Sequence, residues 1–301
     1  MSSPNFVLPN GIKLENLLES LRYLSWGAAD ILMAYGRGEK PPFGFPEHLS
    51  VDDKGDGPVS SADLAVNSWL IEGLKANFPG ADWIVLSEEN VKGQSGDNFS
   101  ENNNWMWVLD PLDGTKDFLN GTGEYAVHIA LLKNLSPKIG VVLIPESEEL
   151  WFGIIGKGSW CENRLGEKKL ANFSHRNELC QMILLASKTH RDKRLSSLIE
   201  KLSPGETKGV GSVGCKIATI LRGDADFYIS LSGKTSPKDW DMAAPEAVLK
   251  AAGGKFTQAN GQPLVYGKEG FNQSGCLVAS HGVRHDFLSN LITQALSMID
   301  S

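Results

Sequence analysis

Two apolar runs in this chain end in acid. Residues 83–90 read WIVLSEEN and residues 105–118 read WMWVLDPLDGTKDF. Each run has the length and composition of a buried strand, and each delivers carboxylates at its C-terminal end: Glu88 and Glu89 in the first, Asp110 and Asp113 in the second. Open sheets place their ligands beyond strand ends of this kind, so the pair of runs points to a layered fold with a site at a sheet edge. Pro111 has no N–H to continue a ladder, and the chain is expected to turn there. Such a turn lets Asp110, Asp113 and the Leu112 carbonyl converge on one point. Gly114 then relieves the crowding and allows a helix to begin.

The remaining elements are read from periodicity. Residues 13–36 place Leu14, Leu17, Leu21, Leu24, Ala28, Ile31 and Leu32 on one face of an amphipathic helix. Residues 36–58 are rich in Gly, Pro and Asp and read as a loop or irregular hairpin, whose position just before GPVSSAD suits a flap over the site. Ser60 or Ser61 caps a helix that Pro79-Gly80 ends, and residues 92–104 form a polar surface loop. EYAVHIALLK, KIGVVLIP, ELWFGII and GSWCEN are successive strands of a mostly antiparallel sheet. From about residue 170, short strands (MILLAS, ADFYIS, CLVAS) alternate with helical stretches. The fold class is therefore α/β (α+β), with an N-terminal subdomain over residues 1–165 and a C-terminal α/β subdomain over residues 166–301.

Composition narrows the function. A net charge of −7 and a pI near 5.4 argue against a nucleic-acid polymer or an anionic membrane as partner, while leaving room for one small anion in a local basic pocket. Cys161, Cys180, Cys215 and Cys276 have no metal-ligand spacing and read as reduced thiols. The start, MSSPNFVLPNG, has no signal-peptide pattern, and no apolar run reaches membrane-spanning length. A cytoplasmic location is expected. The oligomeric state is left open by the sequence.

Three hard oxygen ligands close together, with no His or Cys nearby in sequence, suit Mg²⁺ rather than zinc. Gly114, Thr115 and Lys116 follow at once and would present backbone N–H groups to a phosphate. Thr115 is placed to orient an attacking water, and two metal ions would clamp the attacking and leaving oxygens. A further acid, Asp241, sits in DWD at the start of an Ala-rich helix closed by Gly253-Gly254. Each piece also has a plain structural reading. Asp-Pro and Asp-Gly are ordinary turn dipeptides, Asp241 is a helix N-cap, and Asp63 completes a capping box with Ser60. Gly-rich GIIGKGSW (153–160) reads as a strand turn, and His128, in an alternating apolar strand, as a structural histidine.

The combination of GPVSSAD (57–63), LSEEN, WVLDPLDGTKDF, GSVGCK (211–216), DWDMAAPEAV and GQPLVY (261–266) resembles the lithium-sensitive, magnesium-dependent phosphatases of the inositol monophosphatase and fructose-1,6-bisphosphatase superfamily. Lys116 followed by an acid and Phe makes it most similar to the CysQ family of 3'(2'),5'-bisphosphate nucleotidases. The resemblance implies a layered αβαβα sandwich and two or three Mg²⁺ ions. It implies Glu88, Asp110, the Leu112 carbonyl, Asp113 and Asp241 as metal ligands, with Glu88, Thr115 and Asp63 acting on the water. Gly114, Thr115 and Lys116 would hold the scissile phosphate. On the substrate side it implies Ser187, Lys188 and His190 of SKTH, Ser212 and Lys216 of GSVGCK, and Asp241. SKTHRDKR also reads as a solvated helix start with a basic face, and Lys188 stands where relatives carry arginine, keeping the charge but losing the bidentate fork of a guanidinium.

The implied reaction is hydrolysis of 3'-phosphoadenosine 5'-phosphate (PAP) to AMP and phosphate, with the 5'-phosphosulfate analogue PAPS as a second substrate. An inositol or sugar phosphatase of the same superfamily uses the same carboxylates and stands as the alternative. A non-catalytic Mg²⁺- or phosphate-binding protein is a third reading, against which stand the intact Asp63, Glu88 and Thr115.

Overall fold

The structure, a computed structural model, describes residues 8–53, 58–91, 104–188, 192–233 and 235–301. The chain begins with α1 (Leu14–Arg37), then a short hairpin of β1 (Val51–Asp53) and β2 (Pro58–Ser60), then α2 (Ser61–Asn77). β3 (Ile84–Ser87) leads into the single turn α3 (Glu88–Val91), and β4 (Trp105–Asp113) into α4 (Thr115–Leu119). β5 (Ala126–Lys133), β6 (Ser136–Ile144), β7 (Glu149–Ile154), β8 (Gly158–Glu162) and β9 (Lys168–Leu170) follow as a meander. The second half runs β10 (Ile183–Ser187), α5 (Lys193–Leu202), β11 (Glu206–Val210), α6 (Val213–Leu221), β12 (Phe227–Leu231), α7 (Asp239–Ala251), β13 (Lys255–Gln258), β14 (Cys276–Ser280) and α8 (His285–Ile299).

Among the described residues, β3 to β9 form a seven-stranded sheet in chain order, antiparallel except for β3 beside β4. A five-stranded sheet has the order β11-β10-β12-β14-β13. The expected division at residues 165/166 separates these sheets except for β9, which pairs with β8.

Strand alternation builds the layers. Trp107, Leu109, Val127, Ile129, Val141, Leu143 and Phe152 face α1 and α2 in one core. Their in-between neighbours Met106, Val108, Ala126, Ala130, Val142 and Trp151 face α6 and α7, which also meet Tyr228, Phe256, Leu277 and Ala279 of the small sheet. The outer face of that sheet, with Leu184, Phe227, Ile229 and Val278, packs on α5 and α8. The period-2 pattern thus divides each inner strand between two cores and gives an αβαβα sandwich.

One close approach fixes α7, the helix that carries Asp241. Gly140 of β6 and Gly153 of β7 are cross-strand partners. A Cβ on Gly140 would lie 2.5 Å from the Ala244 carbonyl oxygen, and one on Gly153 would lie 2.3 Å from the Val248 Cα. The glycine pair is a smooth patch on which the helix backbone rests. Gly153→Ala must push α7 off the sheet, and a destabilisation of about 1–3 kcal/mol is expected from overpacking. Chemical denaturation of the variant checks this; an unchanged midpoint would show that the helix is not seated as described.

The structure corrects two local expectations. The chain does not leave the ladder at Pro111: β4 continues to Asp113. Asp110 pairs with His128 and Asp113 with Ala126, so three steps on β4 match two on β5. This is a one-residue bulge, which absorbs the missing proline donor. Likewise Asp241 is not the N-cap of its helix. α7 starts at Asp239, and Asp241 lies on the first turn, where its Oδ2 accepts the Lys238 N–H at 2.6 Å. Among the described residues no helix is long and apolar enough to cross a membrane. All four cysteines are free. GIIGKGSW is the β7–β8 turn.

Candidate active site

The bulge decides the chemistry of β4. Residues three apart on a regular strand point to opposite faces. The extra residue between Asp110 and Asp113 cancels that inversion, so both carboxylates face the same side. There they meet Asp241 from α7. One carboxylate oxygen from each of Asp110, Asp113 and Asp241 lies within 4.8 Å of the others. Parallel pairing of Ser87 with Leu109 aligns the ends of β3 and β4, bringing Glu88 to the rim of the group. Ser87 is fixed there by its hydroxyl, which donates to Asn67 Oδ1 at 2.6 Å.

Each acid is anchored on one side and left open on the other. Asp110 Oδ1 accepts the Leu112 N–H at 3.0 Å. Its Oδ2 is buried, and no N–H or hydroxyl donates to it; His128 Nδ1 stands 4.0 Å away. Asp113 Oδ2 accepts the Ser212 hydroxyl at 2.6 Å, the Val213 N–H at 2.5 Å and the Gly214 N–H at 3.3 Å. The N-terminus of α6 is therefore spent on Asp113 itself, which suits a carboxylate at the positive end of a helix dipole. Burial pushes Asp110 well above the ordinary carboxylate range, and the charges of Glu88, Asp113 and Asp241 push it further. Asp241 is raised by burial and then by Asp113 and Glu88. Without a cation these carboxylates must hold protons or repel one another. An orphaned buried oxygen amid an all-carboxylate donor set fits a hard divalent cation.

Thr115 follows the bulge. Gly114, at φ +92°, makes the turn, and a side chain there would meet the Glu124 carbonyl oxygen at 3.1 Å. Thr115 Oγ1 then lies 3.1 Å from Asp63 Oδ1 and 3.2 Å from the Leu112 carbonyl oxygen. Asp63 makes two sets of contacts. Its Oδ2 accepts the Ser60 N–H at 2.8 Å, closing the capping box of α2, while Oδ1 holds Thr115. Burial raises the Asp63 pKa against the Ser60 hydrogen bonds that lower it.

The expected substrate-side residues divide. Lys116 is exposed beside the turn, and Ser187 is half-buried at the end of β10. Lys188 follows it, its ammonium 2.6 Å from Glu124 Oε2. Ser212 is buried with its hydroxyl committed to Asp113. Lys216 is also buried; its Nζ donates to the carbonyls of Ser212 at 2.9 Å and Gly211 at 3.2 Å, so it braces the 211–216 loop. Desolvation lowers its pKa, with Asp113 opposing. His190 lies outside the described residues.

Two residues gained a place that the sequence did not give them. His128 is fully buried behind the acids, with Nε2 3.4 Å from Asp113 Oδ2 and Nδ1 3.4 Å from the Trp240 carbonyl oxygen. Burial lowers its pKa despite the neighbouring carboxylate, which makes it a neutral backing to the cluster. A signal existed in its inward position on the strand after DPLDGT, but only the register opposite Asp110 gives it meaning. Glu124 is the other, bridging Lys188 and the Gly211 N–H.

The comparisons agree with this geometry. The profile described as "Inositol monophosphatase family" matches residues 14–297. The chain is 32% identical over 252 residues to the 3'(2'),5'-bisphosphate nucleotidase CysQ of Salmonella typhimurium (strain LT2), covering 83% of this chain and 94% of that protein. It is 31% identical over 256 residues to the CysQ nucleotidase of Haemophilus influenzae, covering 84% and 90% of the two. Among solved structures, the inositol monophosphatase from Anabaena (Nostoc) sp. PCC 7120 superposes with a TM-score of 0.71 at 24% identity, covering 93% of this chain and 96% of that one. A sequence match that runs from α1 to α8, over a sandwich that brings three aspartates together beside a Thr–Asp pair, makes this chain a member of the inositol monophosphatase family.

Proposed function

We propose that this protein is a Mg²⁺-dependent 3'(2'),5'-bisphosphate nucleotidase that removes the 3'-phosphate of PAP to give AMP and phosphate, and that it accepts PAPS as well. The observation that carries the reading is the likeness to the CysQ nucleotidases over 83% of the chain, together with the all-carboxylate cluster on β4 and α7. Asp110, Asp113, Asp241, Glu88 and the Leu112 carbonyl would hold two or three Mg²⁺ ions. When bound, these ions supply Lewis-acid stabilisation of charge on phosphorus-bound oxygens and lower the pKa of water.

The chain's own groups do the rest. The Thr115 hydroxyl donates toward Asp63 or the Leu112 carbonyl, so its oxygen lone pairs are turned outward to accept a hydrogen bond from the attacking water and orient it. Asp63 is itself locked by Ser60, which keeps that orientation fixed. Gly114 and Lys116 border the scissile phosphate, and Lys188 supplies positive charge for a phosphate elsewhere on the substrate. Ser187, Ser212 and Lys216 complete that wall in this reading, the last two by shaping the loop that carries them, and His190 helps to bind the same phosphate. Asp241 also borders the substrate.

Thr115→Ala removes the positioning hydroxyl but little buried surface. We expect kcat to fall about a hundredfold with a stability change of ~1 kcal/mol or less, and Thr115→Ser to restore most of the rate. Equal kcat for wild type and Thr115→Ala would remove Thr115 from the mechanism. The function itself is tested by phosphate release with Mg²⁺ from PAP and from inositol 1-phosphate, side by side. A strong preference for PAP supports the nucleotidase reading. A preference for inositol phosphate keeps the carboxylate chemistry and overturns the substrate.

A further inference from the structure

Glu124 lies in the link between α4 and β5, outside the carboxylate cluster. Its backbone carbonyl crowds two glycines at once. A Cβ on Gly114 would come within 3.1 Å of that oxygen, and a Cβ on Gly211 within 2.7 Å. The residue is therefore wedged between the Asp-Gly-Thr turn and the 211–216 loop, the two segments that border the cluster. Its side chain is committed in two directions: Oε2 accepts the Gly211 N–H at 2.6 Å and meets the Lys188 ammonium at 2.6 Å. Ser212, the residue after Gly211, donates to Asp113. A single loop residue thus links this carboxylate to the cluster. The side chains of Lys188 and Glu124 are 40% and 30% exposed, so a dissolved anion can reach the pair.

We infer that Glu124 is a specificity-determining residue: it competes with the second phosphate of a bisphosphate substrate, and of its product, for the Lys188 ammonium. The inference rests on the nucleotidase reading. A phosphate dianion offers more charge and more acceptor oxygens than one carboxylate, so it takes the ammonium. Glu124 stays nearby, held by the Gly211 N–H, and repels the newcomer. Binding of the second phosphate is therefore weaker than Lys188 alone would make it. A substrate with one phosphate, seated at the cluster, leaves the pair intact. The product of 3'-cleavage keeps its 5'-phosphate, so the same competition speeds its departure.

Glu124→Gln tests this, because the amide oxygen still accepts from Gly211 while the charge is gone. The assay compares KM for PAP and for 3'-AMP with Mg²⁺, and titrates 5'-AMP calorimetrically. The KM ratio of PAP to 3'-AMP should fall, and 5'-AMP should bind more tightly, each by about three- to fivefold, the scale of a partly exposed ion pair. Lys188→Arg leaves the Glu124–Gly211 contact untouched and covers the case in which Glu124→Gln melts early. Its guanidinium has donors for carboxylate and phosphate together, so 5'-AMP should again bind more tightly. Wild-type preference for PAP with 5'-AMP affinity unchanged in both variants would overturn the role of Glu124. Wild-type enzyme that releases phosphate from inositol 1-phosphate and not from PAP would overturn the nucleotidase reading instead.

Discussion

Asp113→Asn should stop phosphate release from every substrate, by on the order of a thousandfold or more, beyond the ten- to hundredfold typical of losing an outer-shell partner of a metal. The reason is geometric. Three donors, the Ser212 hydroxyl and the Val213 and Gly214 N–H groups, converge on Asp113 Oδ2. An asparagine must keep its amide oxygen toward them. Its NH₂ group is then forced toward Asp110 and Asp241, where a cation would stand, and a donor cannot ligate one. The fold should survive, because the amide oxygen still caps α6. The variant should therefore unfold cooperatively and show no Mg²⁺-induced rise in melting temperature. Retention of more than about a tenth of wild-type activity would be incompatible with the assigned role of Asp113.

Asp241→Asn should separate stability from activity. Part of the Asp241 surface still reaches solvent, yet burial and the charges of Asp113 and Glu88 raise its pKa. A carboxyl whose folded pKa exceeds its unfolded value near ~4 contributes stability that is fully present below that value and is lost as pH rises through the folded pKa. Asp110 shifts in the same direction. Metal-free wild-type protein should thus become less stable from weakly acidic to neutral pH. Asparagine has no charge to desolvate and still accepts the Lys238 N–H through its side-chain oxygen. At pH 7 without metal, Asp241→Asn should be more stable by about 1–3 kcal/mol, which is roughly 2–10 °C in melting temperature for a chain this long. With Mg²⁺ the order should reverse, since the cation stabilises only the protein that has the third carboxylate. Differential scanning fluorimetry across pH 5–8, with and without Mg²⁺, reads both effects. A metal-free variant that melts below wild type throughout would show that the acids are not in mutual repulsion.

Local signals in the chain sufficed for much of this. The apolar stripe of α1, the Ser60 cap of α2 and the alternation in β5 to β8 are each encoded by neighbours in sequence, and they formed as read. β11 and β13 were missed because they are the two edges of the small sheet, where strands are short and polar and carry little periodic signal. Asp110 and Asp113 were legible as a pair because their spacing is local.

Their common direction was not. It depends on a bulge, and a bulge is defined only against the register of a partner strand. The seat of Asp241 depends on α7 resting on Gly140 and Gly153, which are unremarkable glycines until β6 and β7 pair. His128 and Glu124 acquired their places in the same way, through contacts between segments far apart in the chain. The sequence by itself determined which residue types could bind a cation and a phosphate, because backbone periodicity and side-chain chemistry are local properties. Tertiary structure alone decided which of them meet, because register and helix seating are settled by the packing of both sheets at once.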